Sequence, residues 1–110
     1  MALIPNAVEA EIAPRKLEAY LLNPDHKDND GKARLFAGLG YTQENWQLLA
    51  ADLREQHLTQ DANDLGAFPH GQRYEIIAVL RGPTGSANIK SVWQIDHDKE
   101  YPRFLTAYRA

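Results

Sequence analysis

The chain has 110 residues, 44% of them apolar, with 12 basic against 15 acidic side chains, a net charge of −3 and no cysteine. A single domain with its own core is expected over residues 1–110, and the apolar share argues against disorder. The missing cysteine excludes a disulfide framework, a thiolate metal site and a nucleophilic thiol. No apolar run approaches the ~20 residues of a membrane span, and residues 1–5 are too short for a signal core, so no membrane partner and a cytoplasmic location are the expectations.

The net charge speaks against non-specific coating of nucleic acid, yet it hides an asymmetry. Residues 1–70 carry 6 Lys/Arg against 11 Asp/Glu, and residues 71–110 carry 6 against 4. An acidic first part followed by a mildly basic second part suits a domain that offers its second part to an anion; chance composition is the plainer reading.

In chain order, residues 7–12 read as a short edge strand or a first helical turn. Pro14 suits the opening position of a helix over 15–22, with Leu17, Tyr20 and Leu21 at helical spacing and Asn23-Pro24 as its stop. Asp28-Asn29-Asp30-Gly31 is suggestive of a calcium loop. With Gly31 as its sixth position, however, the first falls on His26 and the twelfth on Ala37, where acidic oxygens are required. The segment is better read as a turn that caps a helix over 32–39 through Asn29 or Asp30, closed by Gly40. Thr42 caps a longer helix over 43–57 with Trp46, Leu49, Ala50 and Leu53 on one face. Residues 59–71 read as a loop, with Leu65 and Phe68 turned to the core.

The stretch from Gln72 to Arg109 organises the rest. Three runs rich in Val, Ile, Tyr, Phe and Trp, separated by Gly82-Pro83-Thr84-Gly85 and by the charged link 96–102, predict an antiparallel meander. Tyr74, Ile76, Ala78 and Leu80 share one face of the first strand, and Ile89, Ser91, Trp93 and Ile95 one face of the second. In the third, strict alternation groups Phe104, Thr106 and Tyr108 against Arg103, Leu105, Ala107 and Arg109. The predicted fold is α+β: N-terminal helices (1–58) packed on one face of a three- or four-stranded antiparallel sheet (72–109).

Candidate chemistry is sparse. No two histidines have the spacing of a helical metal site, so neither a metal nor a cofactor is expected. His70, beside Gly71, is the best placed for a general base; His26, His57 and His97 read as surface residues at turns or a helix end. Gly85-Ser86 lies in a hairpin and is no nucleophile elbow, and Gly31-Lys32-Ala33 lacks the rest of a phosphate loop. Lys32 is out of place at a helix N-terminus unless an anion shares the site. Arg103, Thr106 and Tyr108 on the last strand have the groups to hold a phosphodiester. If that strand is central or next to central, its polar residues reach the rim beside Lys32. The plainer reading makes Phe104 and Tyr108 core and the cations solvated.

Several short motifs carry a resemblance. They are Pro5-Asn6-Ala7, Lys16-Leu17 with Tyr20-Leu21-Leu22, Gly31-Lys32-Ala33 with Phe36, Leu39-Gly40-Tyr41, and Trp46 with Leu49. Gly82-Pro83-x-Gly85, Val92-Trp93-x-Ile95-Asp96, and Pro102-Arg103 with Thr106-Ala107-Tyr108 complete the set. Over nearly its whole length the chain resembles a small uncharacterised bacterial domain family, often labelled as adhesins. Its members stand alone or form the tips of polymorphic secreted proteins. The order of helices then meander, ending in Thr-Ala-Tyr, also looks like the RelE, barnase and colicin-nuclease group of toxin ribonucleases. That likeness implies a toxin-like, metal-independent endoribonuclease, with Lys32, Arg103, Thr106 and Tyr108 as its catalytic candidates and RNA and a cognate antitoxin or immunity protein as partners. The alternative is a non-catalytic interaction module of a toxin–antitoxin or effector system, using its sheet edge or basic face.

Overall fold

The computed structural model describes residues 2–27, 29 and 31–110. Asp28 and Asp30, the two acidic residues of the discounted calcium loop, lie outside the described residues, as does Met1. The fold is α+β, with helices N-terminal to a four-stranded antiparallel meander of order β1-β2-β3-β4.

Residues Ala7–Glu9 form a 3-10 turn, and Glu11 then pairs with the outer edge of the last strand. Lys16–Leu21 is wound as a π-helix, its final turn closed by the Leu22 amide on the Leu17 carbonyl at 2.8 Å. The wider turn still buries Leu17 and Leu21 completely and leaves Lys16 and Tyr20 half-exposed along one side. Helix α1 spans Lys32–Gly38. Asn29 caps it: its Oδ1 accepts from the Ala33 amide, while its Nδ2 donates to the carbonyls of Tyr20 and Leu21. One buried side chain thus fixes the start of α1 against the end of the π-helix. Gly40, at φ 100°, takes the left-handed conformation that ends the helix. Thr42 and Asn45 form a reciprocal capping box, and a 3-10 turn leads into α2, Trp46–Gln56.

Strand β1 (Asn63–Phe68) occupies the stretch expected to be a loop. Asn, Asp, Gly and Ala make it a poor strand by propensity, and it forms because β2 (Gly71–Arg81) offers it a partner across the two-residue Pro69-His70 turn. A register shift at Leu65, with Gly66 at φ 94°, erases the alternation a reader of sequence would look for. Leu65 is accordingly exposed rather than core, and Phe68 stacks against the Arg73 guanidinium, 4.1 Å from the ring centroid.

Strands β2 and β3 (Ser86–Asp96) pair in the predicted phase, Tyr74 opposite Trp93, Ile76 opposite Ser91 and Ala78 opposite Ile89. Leu17, Leu21, Phe36, Leu49 and Leu53 cover that face together with Trp93 and Phe104, whose rings meet edge to face at 5.2 Å. Trp93 is fully buried, and Trp46 packs half-buried at the core margin. The hairpin loop 82–85 lies on the end of α1, where the Thr84 amide and hydroxyl both donate to helix carbonyls, those of Leu39 and Gly38. Gly82 permits this approach, since a Cβ there would meet the Leu39 carbonyl oxygen at 2.1 Å.

Strand β4 (Arg103–Arg109) departs from prediction in two ways. A meander leaves it at the sheet edge, not in the centre. A bulge at Leu105 also breaks its alternation: Phe104 pairs with Trp93, whereas Thr106 pairs with Val92 and Tyr108 with Lys90. Phe104 and Ala107 therefore face the core, and Thr106 and Tyr108 the opposite side.

Candidate functional site: the exposed edge of strand β4

Among the described residues the outer edge of β4 is paired at its start, where the Glu11 amide donates to the Pro102 carbonyl and the Glu11 carbonyl accepts from the Phe104 amide. Beyond the bulge the π-helix and α1 flank the strand. The Tyr20 hydroxyl and Thr106 Oγ1 are hydrogen-bonded at 3.2 Å. Lys16 Nζ lies 6.0 Å from the Tyr20 ring centroid, and Lys32 Nζ lies 5.9 Å from the centroids of both Tyr20 and Tyr108. On the outer face Lys90 Nζ stands 5.6 Å from the Tyr108 centroid and 3.5 Å from Glu75. Ammonium groups at these distances are attracted to the ring faces by about 0.5–1 kcal/mol each when exposed.

Two hollows open here. A groove of about 640 Å³ lies between α1, the β2–β3 hairpin and the end of β4, with Lys32, Arg34, Ser86, Tyr108 and Arg109 in its walls. A hollow of about 460 Å³ lies on the other side of Tyr20 and is lined by Arg15, Lys16, Ala19, Tyr20, His26 and Leu105. Among the described residues, no carboxylate reaches ion-pair distance of Lys16, Lys32, Arg34 or Arg109. Burial and the nearby Arg103 and Arg15 push the Lys16 ammonium below the usual lysine range, with Tyr20 opposing them. Among the described residues the edge is thus a run of cations and phenol rings with no carboxylate paired to these four cations.

The four predicted site residues divide. Lys32, Thr106 and Tyr108 come together, joined by Tyr20. Arg103 does not enter the groove: its Nε donates to Asp96 Oδ2 at 2.8 Å, and this hydrogen bond, followed by one from Gln94, holds the Asp96 carboxyl below its usual range. Arg103 contributes to the edge through its field on Lys16. His70 is exposed in the β1–β2 turn and lines neither hollow. Tyr20, Lys16 and His26 were missed. The Tyr20 ring meets the His26 ring edge-on at 5.2 Å, a contact set by the turn after the π-helix. The one available signal was Lys16 and Tyr20 at helical spacing, which reads equally well as an ordinary solvated face.

His57 is the other correction. It is completely buried at the end of α2 rather than a surface residue. The Ala78 carbonyl can only accept, so His57 Nε2 carries the proton and donates to it at 3.1 Å. Nδ1 then accepts from Ser91 Oγ at 2.7 Å, and Ser91 accepts from the Trp93 indole at 2.9 Å. Burial drives the His57 pKa down. Every group in this chain is satisfied, and neither His57 nor Ser91 has any surface through which a substrate could be reached.

A family described as "Domain of unknown function (DUF6883)" matches residues 3–110. The chain belongs to that family. The match agrees with the resemblance to a small uncharacterised domain. No curated protein and no solved structure matches the chain. Among the described residues no group of three His, Cys, Asp or Glu side chains is arranged to hold a metal ion, and no helix is long and apolar enough to cross a membrane.

Proposed function

We propose that the protein is a toxin-like endoribonuclease that cleaves RNA with side chains alone, at the β4 edge. The observation that carries this reading is the Tyr20–Thr106 hydroxyl pair flanked by Lys16 and Lys32, with His26 against the same tyrosine ring. A phosphodiester seated there has cations for its non-bridging oxygens and hydroxyls to orient it. His26 accepts the proton of the 2′-hydroxyl as that oxygen attacks phosphorus. The P–O5′ bond breaks, and Lys16, whose lowered pKa makes it a better acid than an ordinary lysine, protonates the leaving oxygen. The products are a 2′,3′-cyclic phosphate and a 5′-hydroxyl. Lys32 neutralises charge on the phosphorane, Tyr108 and Thr106 position the phosphate, and Arg103 acts on Lys16 from outside.

Incubating purified protein with a labelled RNA and resolving the fragments tests this. Fragments ending in a cyclic phosphate, lost in Lys32→Ala and Thr106→Ala variants that melt like the wild type, are expected. Intact RNA after exposure to folded wild-type protein defeats the reading.

The second reading, a non-catalytic partner of a toxin, antitoxin or effector, draws on a different surface. Ile77 and Val79 are each 44% exposed on the outer sheet face, close to the Lys90–Glu75 ion pair.

A further inference from the structure

Three lysines and two tyrosines alternate across the β4 edge in the order Lys16, Tyr20, Lys32, Tyr108, Lys90, each step between 5.6 and 6.0 Å. The elements that supply them are separate in sequence: the π-helix, the first residue of α1, the last strand and β3. We propose that this row is a track for unpaired, single-stranded RNA, on which the lysines hold successive phosphates and the tyrosine rings receive bases. This rests on the ribonuclease reading and narrows its substrate to single strands.

Duplex RNA hides its base faces in the stack and is recognised through its backbone and 2′-hydroxyls, for which no aromatic ring is needed. Sites for single strands interleave cations with aromatic side chains, because every base has a stacking face and every nucleotide a phosphate. Tyr108 is 38% exposed, so a ring of that size is held out to solvent at the mouth of the groove. Lys32 stands by both rings, so one ammonium can serve the phosphate between two stacked bases. Of the three lysines only Lys90 is ion-paired among the described residues, and it closes the row at Glu75. That carboxylate marks the end of the track, since a further phosphate there meets a like charge. The absence of base-edge readers from the row predicts tolerance of sequence.

The test separates binding from cleavage. A short, fluorescently labelled oligouridine with fluorine in place of each 2′-hydroxyl cannot be cleaved by 2′-attack, and its binding is followed by anisotropy over a range of salt. The single strand should bind more tightly than a 2′-fluoro duplex of equal length. The logarithm of the binding constant should fall with that of salt at a slope of about −2, and each lysine replaced by alanine should remove about 0.7 from it. Tyr108→Leu, which removes the ring, should bind about tenfold more weakly, and Tyr108→Phe, which keeps it, should bind more tightly than the leucine variant. Equal binding of the duplex, a leucine variant that binds like the wild type, polyglutamate competing as well as the oligonucleotide, or no binding at all each overturns the track. Binding without cleavage of natural RNA would retain the track and sink the ribonuclease; cleavage of duplex RNA without single-strand binding would do the reverse.

Discussion

Two regions of this molecule are made from the same few ingredients and do opposite things with them. Under the sheet, a histidine, a serine and an aromatic residue form the chain Trp93–Ser91–His57–Ala78, in which every donor meets an acceptor and the three side chains of Trp93, Ser91 and His57 are fully buried. At the β4 edge, a histidine, a threonine and two tyrosines lie beside lysines that have rings for neighbours and, at Lys16 and Lys32, no carboxylate among the described residues. A closed polar network in a low-dielectric interior specifies the fold, because any member left unpaired there costs about 1–3 kcal/mol. At the edge the ammonium groups of Lys16 and Lys32, unpaired among the described residues, are what an anion would meet. Residue types alone do not separate a site from a strut; access and local charge balance do.

The comparison breaks first at its buried end. Trp93→Ala should cost about 3–5 kcal/mol, read as a lower denaturant midpoint, since the ring is fully buried against Phe104 and holds the Ser91 hydroxyl. A midpoint near the wild type would mean that the buried chain is not structural. Next in size, Lys32→Ala should lower the rate of RNA cleavage about a hundredfold or more while leaving that midpoint in place. A stability loss comparable to that of Trp93→Ala would put Lys32 on the wrong side of the comparison.

Acid offers a subtler separation. His57 has its pKa lowered by burial, so the unfolded chain takes up a proton as pH falls through about 6.5 that the folded chain refuses. Stability should be full above that pH and decline as it falls towards the depressed value, in a step absent from a folded His57→Gln variant. Stability that rises on acidification through this window would contradict the assignment of His57 as neutral and buried. The smallest effect belongs to Arg103→Ala. Its ion pair with Asp96 is partly exposed, so the loss should be at most about 1 kcal/mol. Asp96 has a depressed pKa, so the pair's contribution is present above about pH 4 and disappears as pH falls further.

The α+β layout and the phase of β2 and β3 were legible because alternation survives wherever a strand is long, central and half-buried. β1 was not, since a neighbour's hydrogen bonds rather than its own side chains make Asn63–Phe68 a strand. The bulge at Leu105 reverses the faces of Thr106 and Tyr108, and a single inserted residue leaves no mark on composition. At the candidate site, the places of Lys32 and Tyr108 beside one another were legible from residue type and position. Tyr20 and His26 were not, because their place depends on the π-helical turn and on Asn29 tying the next helix to it. His57 escaped because a helix-end histidine in sequence looks solvated, and only the packing of α2 on β2 buries it.

The claim at the centre is that the open cluster, and not the buried one, meets a ligand. Amide and side-chain NMR spectra recorded while the non-cleavable oligouridine is titrated in test it most directly. The account predicts shifts confined to Lys16, Tyr20, His26, Lys32, Lys90, Thr106 and Tyr108, with the Trp93 indole and His57 signals unmoved. Shifts centred on Ile77 and Val79, movement of the His57–Ser91–Trp93 signals, or a spectrum unchanged at saturating oligonucleotide would contradict it.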